Sequence, residues 1–413
     1  MKRRKFIAVG FVALAALVFA IAAGGVSGAT KAKSITVWLQ VDAQSGWPDV
    51  VAAANSQFQA AHPGVSVNVQ YQTWPTHLQK FDATLAAGNS PDVIEMGNTE
   101  MTKYMAAGAF QDLTADKSTF ANSSTWLAGL AASGRYNGHL YGVPYYAGSR
   151  VVTYRTDLFK KAGIKVPSTL GQFATDASIL NKKFGKTGFS PVYIAGEDWY
   201  VAMGFVFDYG GNIATRISGK WKGALDSAKS VAGLTAFKNF FNTASKASRT
   251  TIETQPNPYD VFAQGLAASM IGPAWFTCCV KPYTGVAGQF VMPSHTKGQV
   301  MPGFLGGSDL AVPVGADKAL GEDWIRDFTS NSAEKSLETK GNIPNSTSLF
   351  NPTKINERAA ARSWFVPTAK HWVDVENGNV LRTMLAEILT NKLTVKQAAQ
   401  AASDNIASIL NAS

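Results

Sequence analysis

Residues Ser34-Ile35-Thr36-Val37-Trp38-Leu39 alternate apolar and polar positions with the two-residue period of a half-buried strand. From Pro48 to Ala61 the spacing becomes that of a helix, which His62-Pro63-Gly64 ends. Val65 to Tyr71 alternates again, and His77 to Ala87 predicts a second helix that Asn89-Ser90-Pro91 breaks. Asp92 to Met96 reads as a third short strand. This order predicts an α/β fold with a largely parallel sheet, whose ligand sites lie beyond the carboxyl ends of its strands. Gln40, Asp42 and Gln44 follow the first strand, Trp74 the second, and Gly97, Asn98 and Glu100 the third.

The middle of the chain continues in short units punctuated at Gly138, Gly142-Val143-Pro144, Gly210-Gly211 and Gly306-Gly307. Its tail, Val380 to Leu410, is built from helix formers. Apolar residues at Leu381, Met384, Leu385 and Ile388, then Ala398, Ala402, Ile406 and Leu410, predict an amphipathic helix pair broken at Asn391–Thr394. No solenoid-period repeat and no low-complexity tract interrupts it.

The first residues do not fit this pattern. Lys2-Arg3-Arg4-Lys5 precede an apolar run from Phe6 to Ala23, and Ser27-Gly28-Ala29 has the small-x-small form of a leader-peptidase site. A signal peptide, residues 1–29, is expected, although the run approaches the roughly 20 residues that span a bilayer. Arg3-Arg4-Lys5-Phe6 also has a weak likeness to a twin-arginine signal. No cysteine lies near the leader's end. The mature protein is therefore expected in the periplasm or at the outer face of the cytoplasmic membrane, without a lipid anchor, free or held by an uncleaved leader.

Removing 29 of 413 residues leaves 384, more than one core usually organises, so two lobes are expected. The formal charge of +10 falls to +6, because four basic and no acidic residues leave with the leader. The remaining Lys and Arg are dispersed, which argues against a nucleic-acid partner. The two cysteines, Cys278 and Cys279, are neighbours. Disulfides ordinarily join Cα atoms about 4.4–6.8 Å apart, so a reduced pair is expected and the fold must stand on its core.

Several ordered segments resemble the extracellular solute-binding proteins of sugar ABC importers, the maltose-type group. The strongest runs from Tyr136-Asn137-Gly138-His139-Leu140-Tyr141-Gly142-Val143-Pro144 through Tyr154-Arg155-Thr156-Asp157-Leu158-Phe159-Lys160-Lys161-Ala162-Gly163. Arg155-Thr156 replaces the family's common Asn-Lys, and Ser168-Thr169-Leu170-Gly171 its Pro-Thr-Trp-Glu. Pro91-Asp92-Val93, Ala107–Leu113, Phe262–Gly265, Ala267–Trp275, Gly306–Pro313 and Gly341–Pro344 follow the family's order. The resemblance implies a two-lobed periplasmic-binding-protein type II fold with solute in the cleft. It places lobe 1 at 34–147 plus 308–342 and lobe 2 at 148–307 plus 343–413. Crossings would fall near Ala147–Ser149, Gly306–Ser308 and Ile343–Asn345, and their glycines suit hinges.

A sugar presents hydroxyls and a C–H face, so its site needs polar side chains and flat aromatics converging from both lobes. The resemblance places a stacking aromatic at Trp275. Glu197-Asp198-Trp199-Tyr200 aligns with a segment lining the second lobe; Asp198 and either Trp199 or Tyr200 are candidates, since four neighbours cannot all face one cleft. The first lobe offers Gln40, Asp42, Gln44, Trp74, Asn98 and Glu100. Tyr146, Arg150, Gly307 and Ser308 lie at the crossings; Arg150 suits either an acidic ligand or a hinge carboxylate. Trp364 and Trp372 are weaker candidates.

Catalysis is not expected. Glycoside cleavage needs carboxylates held across a cleft, whereas Glu197 and Asp198 are adjacent. The five histidines (His62, His77, His139, His295, His371) show no metal-ligand spacing, and no nucleophile elbow or phosphate loop occurs. The expectation is a monomer without metal or cofactor, carrying a carbohydrate to the membrane permease subunits of an ABC importer. The alternatives are the same fold with a phosphorylated or other anionic solute, and a secreted glycan hydrolase.

Overall fold

A computed structural model describes residues 33–351, 353–360 and 362–412. The leader and its cleavage site lie outside them. The opening alternation forms β1 (Lys33–Gln40), α1 (Pro48–Ala61), β2 (Val65–Gln72), α2 (His77–Ala87) and β3 (Val93–Gly97). Pro48 starts α1 at a position where its missing N–H costs nothing. Gly88 ends α2 in the left-handed conformation, φ 68°, with the Asn89 N–H reaching back to the Thr84 carbonyl. β1 pairs in parallel with both β2 and β3.

The remaining strands of this sheet come from distant parts of the chain. β4 (Gly142–Gly148) leads straight into β5 (Arg150–Arg155), which belongs to a second sheet between β6 (Ser269–Pro273) and β7 (Ala287–Phe290). β8 (Gly306–Ala311) returns to the first sheet and runs antiparallel between β3 and β4, and β9 (Ile343–Pro344) pairs with β4 at its edge. The six-stranded order is β9-β4-β8-β3-β1-β2, so the parallel arrangement stops at β3. The three segments assigned as crossings are neighbours here: Gly306 lies opposite Gly148, and both Gly307 and Ile343 lie opposite Ala147.

Two main apolar cores flank these strands. One gathers Val37, Leu39, Trp47, Phe58, Tyr145, Trp324 and Phe328 around the first sheet. The other gathers Phe173, Phe205, Phe237, Phe290, Leu385 and Ile406 around the second. Full burial of each such side chain contributes about 1.5–3 kcal/mol. The tail is the expected helix pair, α3 (Val380–Leu389) and α4 (Val395–Leu410), which packs on the second core. Thr394 and Gln397 close a capping box at the start of α4. The architecture is α/β and two-lobed.

The cysteine expectation is corrected. Cys278 and Cys279 are joined by a disulfide within the tight 3-10 turn Ala274–Cys279. The expectation took the usual Cα separation as required; here the two Cα atoms are 3.8 Å apart, and local turn geometry brings the sulfurs together.

Candidate functional site

The carboxyl ends of β1 and β3 and the crossings form the floor between the lobes. The Gln40 N–H donates to Glu95 Oε2 at 2.8 Å, while Gln40 Oε1, Glu95 Oε1 and the Ser308 hydroxyl are buried with no hydrogen-bond partner. Burial pushes the Glu95 carboxyl up to about 7, against the opposing Gln40 N–H. The register shifts between Ser308 and Asp309, which lie opposite Tyr146 and Pro144, so that Tyr145 is the extra residue of the strand. The Tyr145 hydroxyl accepts from Trp47 Nε1, and the Tyr146 ring lies edge-on to Trp47 at 5.2 Å and to Trp275 at 5.9 Å.

The first-lobe wall is a chain of short contacts. Trp74 Nε1 donates to Asp42 Oδ2 at 2.6 Å, and its ring meets His77 edge-on at 5.2 Å. Glu100 Oε2 accepts from the Gly97 N–H at 2.8 Å and lies 2.9 Å from His77 Nε2. Burial disfavours the charged His77 ring, but Glu100 outweighs it and raises the pKa. Burial also raises Asp42. Asn98 is tied to the crossings, its N–H donating to Gly307 O at 2.9 Å and Nδ2 to Leu305 O at 3.1 Å. Gln44 is exposed on the short helical segment Val41–Gly46.

On the facing wall, Arg150 lies over Tyr200 at 4.2 Å and near Phe304 at 5.5 Å. Asp198 is buried and caps the helix Trp199–Asp208, accepting from the Val201 N–H at 3.1 Å. Burial raises its carboxyl to about 6, against the charge of Arg150. Trp199 stacks on Tyr200 at 3.9 Å but points into the core with Trp364 and Trp372. Of the Trp199–Tyr200 pair, Tyr200 is therefore the one on the cleft side, beside Arg150. Trp364 and Trp372 are core residues.

Trp275 bridges the lobes. It follows β6 of the second sheet, yet its half-buried ring packs against the core of the first. A Cβ at Gly148 would lie 2.0 Å from that ring, so only glycine lets the indole cover the crossing. The structure thus gathers Asp42, Trp74, Asn98, Glu100, Tyr146, Gly307 and Ser308 on one side and Arg150, Asp198, Tyr200 and Trp275 on the other.

Sequence reasoning passed over Glu95, His77, Glu253, Glu376 and Arg382. Arg382 Nη2 donates to Glu253 Oε1 at 2.6 Å. Glu376, on the short helix Trp372–Asn377, accepts from Trp372 Nε1 and, across the cleft, from Thr99 Oγ1 at 3.3 Å. A carboxyl inside the apolar strand Asp92–Met96 was a signal for Glu95; Glu376 and Arg382 carried none. Among the described residues no group of His, Cys, Asp and Glu is placed to hold a metal ion, and no helix is long and apolar enough to cross a membrane. The arrangement is rich in acceptors and aromatic faces, suited to hold a hydroxyl-bearing solute between two walls.

Comparison with known proteins agrees with this geometry. Residues 53–362 match the family described as bacterial extracellular solute-binding protein. The diacetylchitobiose binding protein DasA of Streptomyces coelicolor is 29% identical over 429 residues, 97% of each chain. The lactose-binding protein of Rhizobium radiobacter is 24% identical, covering 70% of this chain and 68% of its own. The GacH receptor of Streptomyces glaucescens superposes with a TM-score of 0.80 at 20% identity, over 92% of this chain and 98% of the other. Two lobes, a lined cleft and a family match over most of its length have one conclusion: the chain belongs to the bacterial extracellular solute-binding protein family.

Proposed function

We propose that this protein captures a carbohydrate between its lobes and delivers it to the membrane permease subunits of an ABC importer. The observation that carries this reading is the placement at the cleft of the part-exposed rings of Trp74 and Trp275, with the Arg150–Tyr200 pair and the acceptor carboxyls Asp42, Glu100 and Asp198, from both sides. The ligands named for relatives support it: diacetylchitobiose and lactose for two of them, and acarbose in complex with the GacH receptor. The protein acts by binding and release, without catalysis, as an exported monomer.

The anionic alternative has less support. Carboxyls outnumber cations on the walls, and Arg382 is already paired with Glu253. Isothermal titration of the mature protein with diacetylchitobiose, lactose, maltose and glycerophosphocholine tests the reading. Binding of one of the sugars near 1 μM, roughly −8 kcal/mol, is expected. Trp275→Ala should weaken it about tenfold or more, the size of a lost aromatic contact. Binding of glycerophosphocholine alone would overturn the carbohydrate assignment.

A further inference from the structure

The Cys278–Cys279 bond has no role as a global staple. In the chain-entropy account, a disulfide stabilises in proportion to the logarithm of the residues it encloses, and neighbouring cysteines enclose none. Its effect is confined to the turn Ala274–Cys279, whose second residue is Trp275.

The start of that turn is held elsewhere. Gln289 Nε2 and Thr277 Oγ1 both donate to the Ala274 carbonyl, at 2.9 and 3.3 Å. The Phe276 ring meets Tyr259 edge-on at 5.0 Å. The far end has the disulfide as its covalent restraint. Between the two lies an indole pressed on Gly148 and beside Tyr146, where a small rotation of the turn changes the cleft wall. Cys278 is exposed and Cys279 half-buried, so the bond is open to reagents from solvent.

We propose that the Cys278–Cys279 disulfide is a positioning element of the ligand site, locking the turn so that Trp275 is held over the Gly148 crossing with its free face toward the cleft. This rests on the reading of Trp275 as a sugar-stacking residue. Reduction by a dithiol would undo the lock: two electrons and two protons convert the S–S bond to two thiols, and the reductant closes to its own disulfide. A ring pre-set for stacking loses less freedom on binding than one on a mobile turn.

The test uses the mature protein in three forms: oxidised, reduced with dithiothreitol and alkylated, and Cys278→Ser/Cys279→Ser. Each is made with native Trp275 and with Trp275→Ala. With Trp275 present, loss of the bond is expected to weaken diacetylchitobiose binding about tenfold while Tm moves by less than about 2 °C. With Trp275→Ala, loss of the bond should have no further effect, the non-additivity expected when one group acts through another. Equal losses in both backgrounds, or no loss with Trp275 present, overturn the proposal. If diacetylchitobiose does not bind the oxidised protein, the sugar reading is what suffers, and the disulfide is judged by acrylamide quenching. The part of the emission that Trp275→Ala removes should become more accessible on reduction; unchanged quenching overturns the proposal.

Discussion

Gly307 illustrates how a residue can belong to the site through its backbone. A Cβ there would lie 2.1 Å from the Tyr146 carbonyl oxygen on the paired strand, and strand backbone cannot give way as a side chain does. Gly307→Ala is expected to cost about 1–3 kcal/mol of unfolding free energy by urea titration. Gly285→Ala, where nothing lies within 4 Å, should be nearly silent. Equal stability of the two variants would remove the close-approach explanation. Asp198 carries a related lesson: an acid flagged for ligand contact also caps a helix, so its loss mixes stability with affinity.

At the scale of elements, the helix Trp372–Asn377 reaches across the cleft to the loop that follows β3. Glu376 accepts from Thr99 there, with Glu100 nearby on the same side as Thr99 and Arg382 and Tyr200 on its own. Burial, reinforced by the Glu100 charge, raises the Glu376 carboxyl from 4.5 to about 7. Opening of the lobes would break the Thr99 contact and expose Glu376 to water, where a carboxyl releases its proton at lower pH. Closure that keeps this contact is therefore expected to weaken as pH rises toward about 7. Diacetylchitobiose affinity should fall about tenfold between pH 5 and pH 8, and Glu376→Gln should flatten that slope. Superimposable profiles for the two proteins would exclude Glu376 as the responsible group. The boundaries of α1, α2 and the tail helices were legible in sequence because local signals made them: Pro48, Gly88 and the Thr394–Gln397 box. The antiparallel insertion of β8 between β3 and β4 was not, since its partners lie some 160 to 220 residues upstream in sequence.

For the whole molecule, buried acids set the response to pH. Burial raises Glu95, Asp309, Glu357 and Glu376 to about 7 and Asp198 to about 6, all above their ordinary values of 3.8 to 4.5. Across pH 4.5–7 the folded chain thus holds protons that the unfolded chain has released, and stability falls as pH rises. His77, raised by Glu100, acts in the same sense: its contribution is present below 6.5 and is lost above. Tm should be higher at pH 5 than at pH 8 by differential scanning calorimetry; the reverse order would mean these carboxyls ionise without penalty.

Periodicity, breakers and the ordered likeness to a family determined the α/β elements and the two-lobed class, because those signals are local or recur in a fixed order along the chain. The tertiary structure alone decided that Trp199 turns into the core while Tyr200 meets Arg150. It alone brought Glu376 across to Thr99 and set Trp275 on Gly148. It also closed the disulfide that the sequence argued against. Each of these depends on which face of an element meets a distant partner, and that is settled when both cores close around the crossing strands.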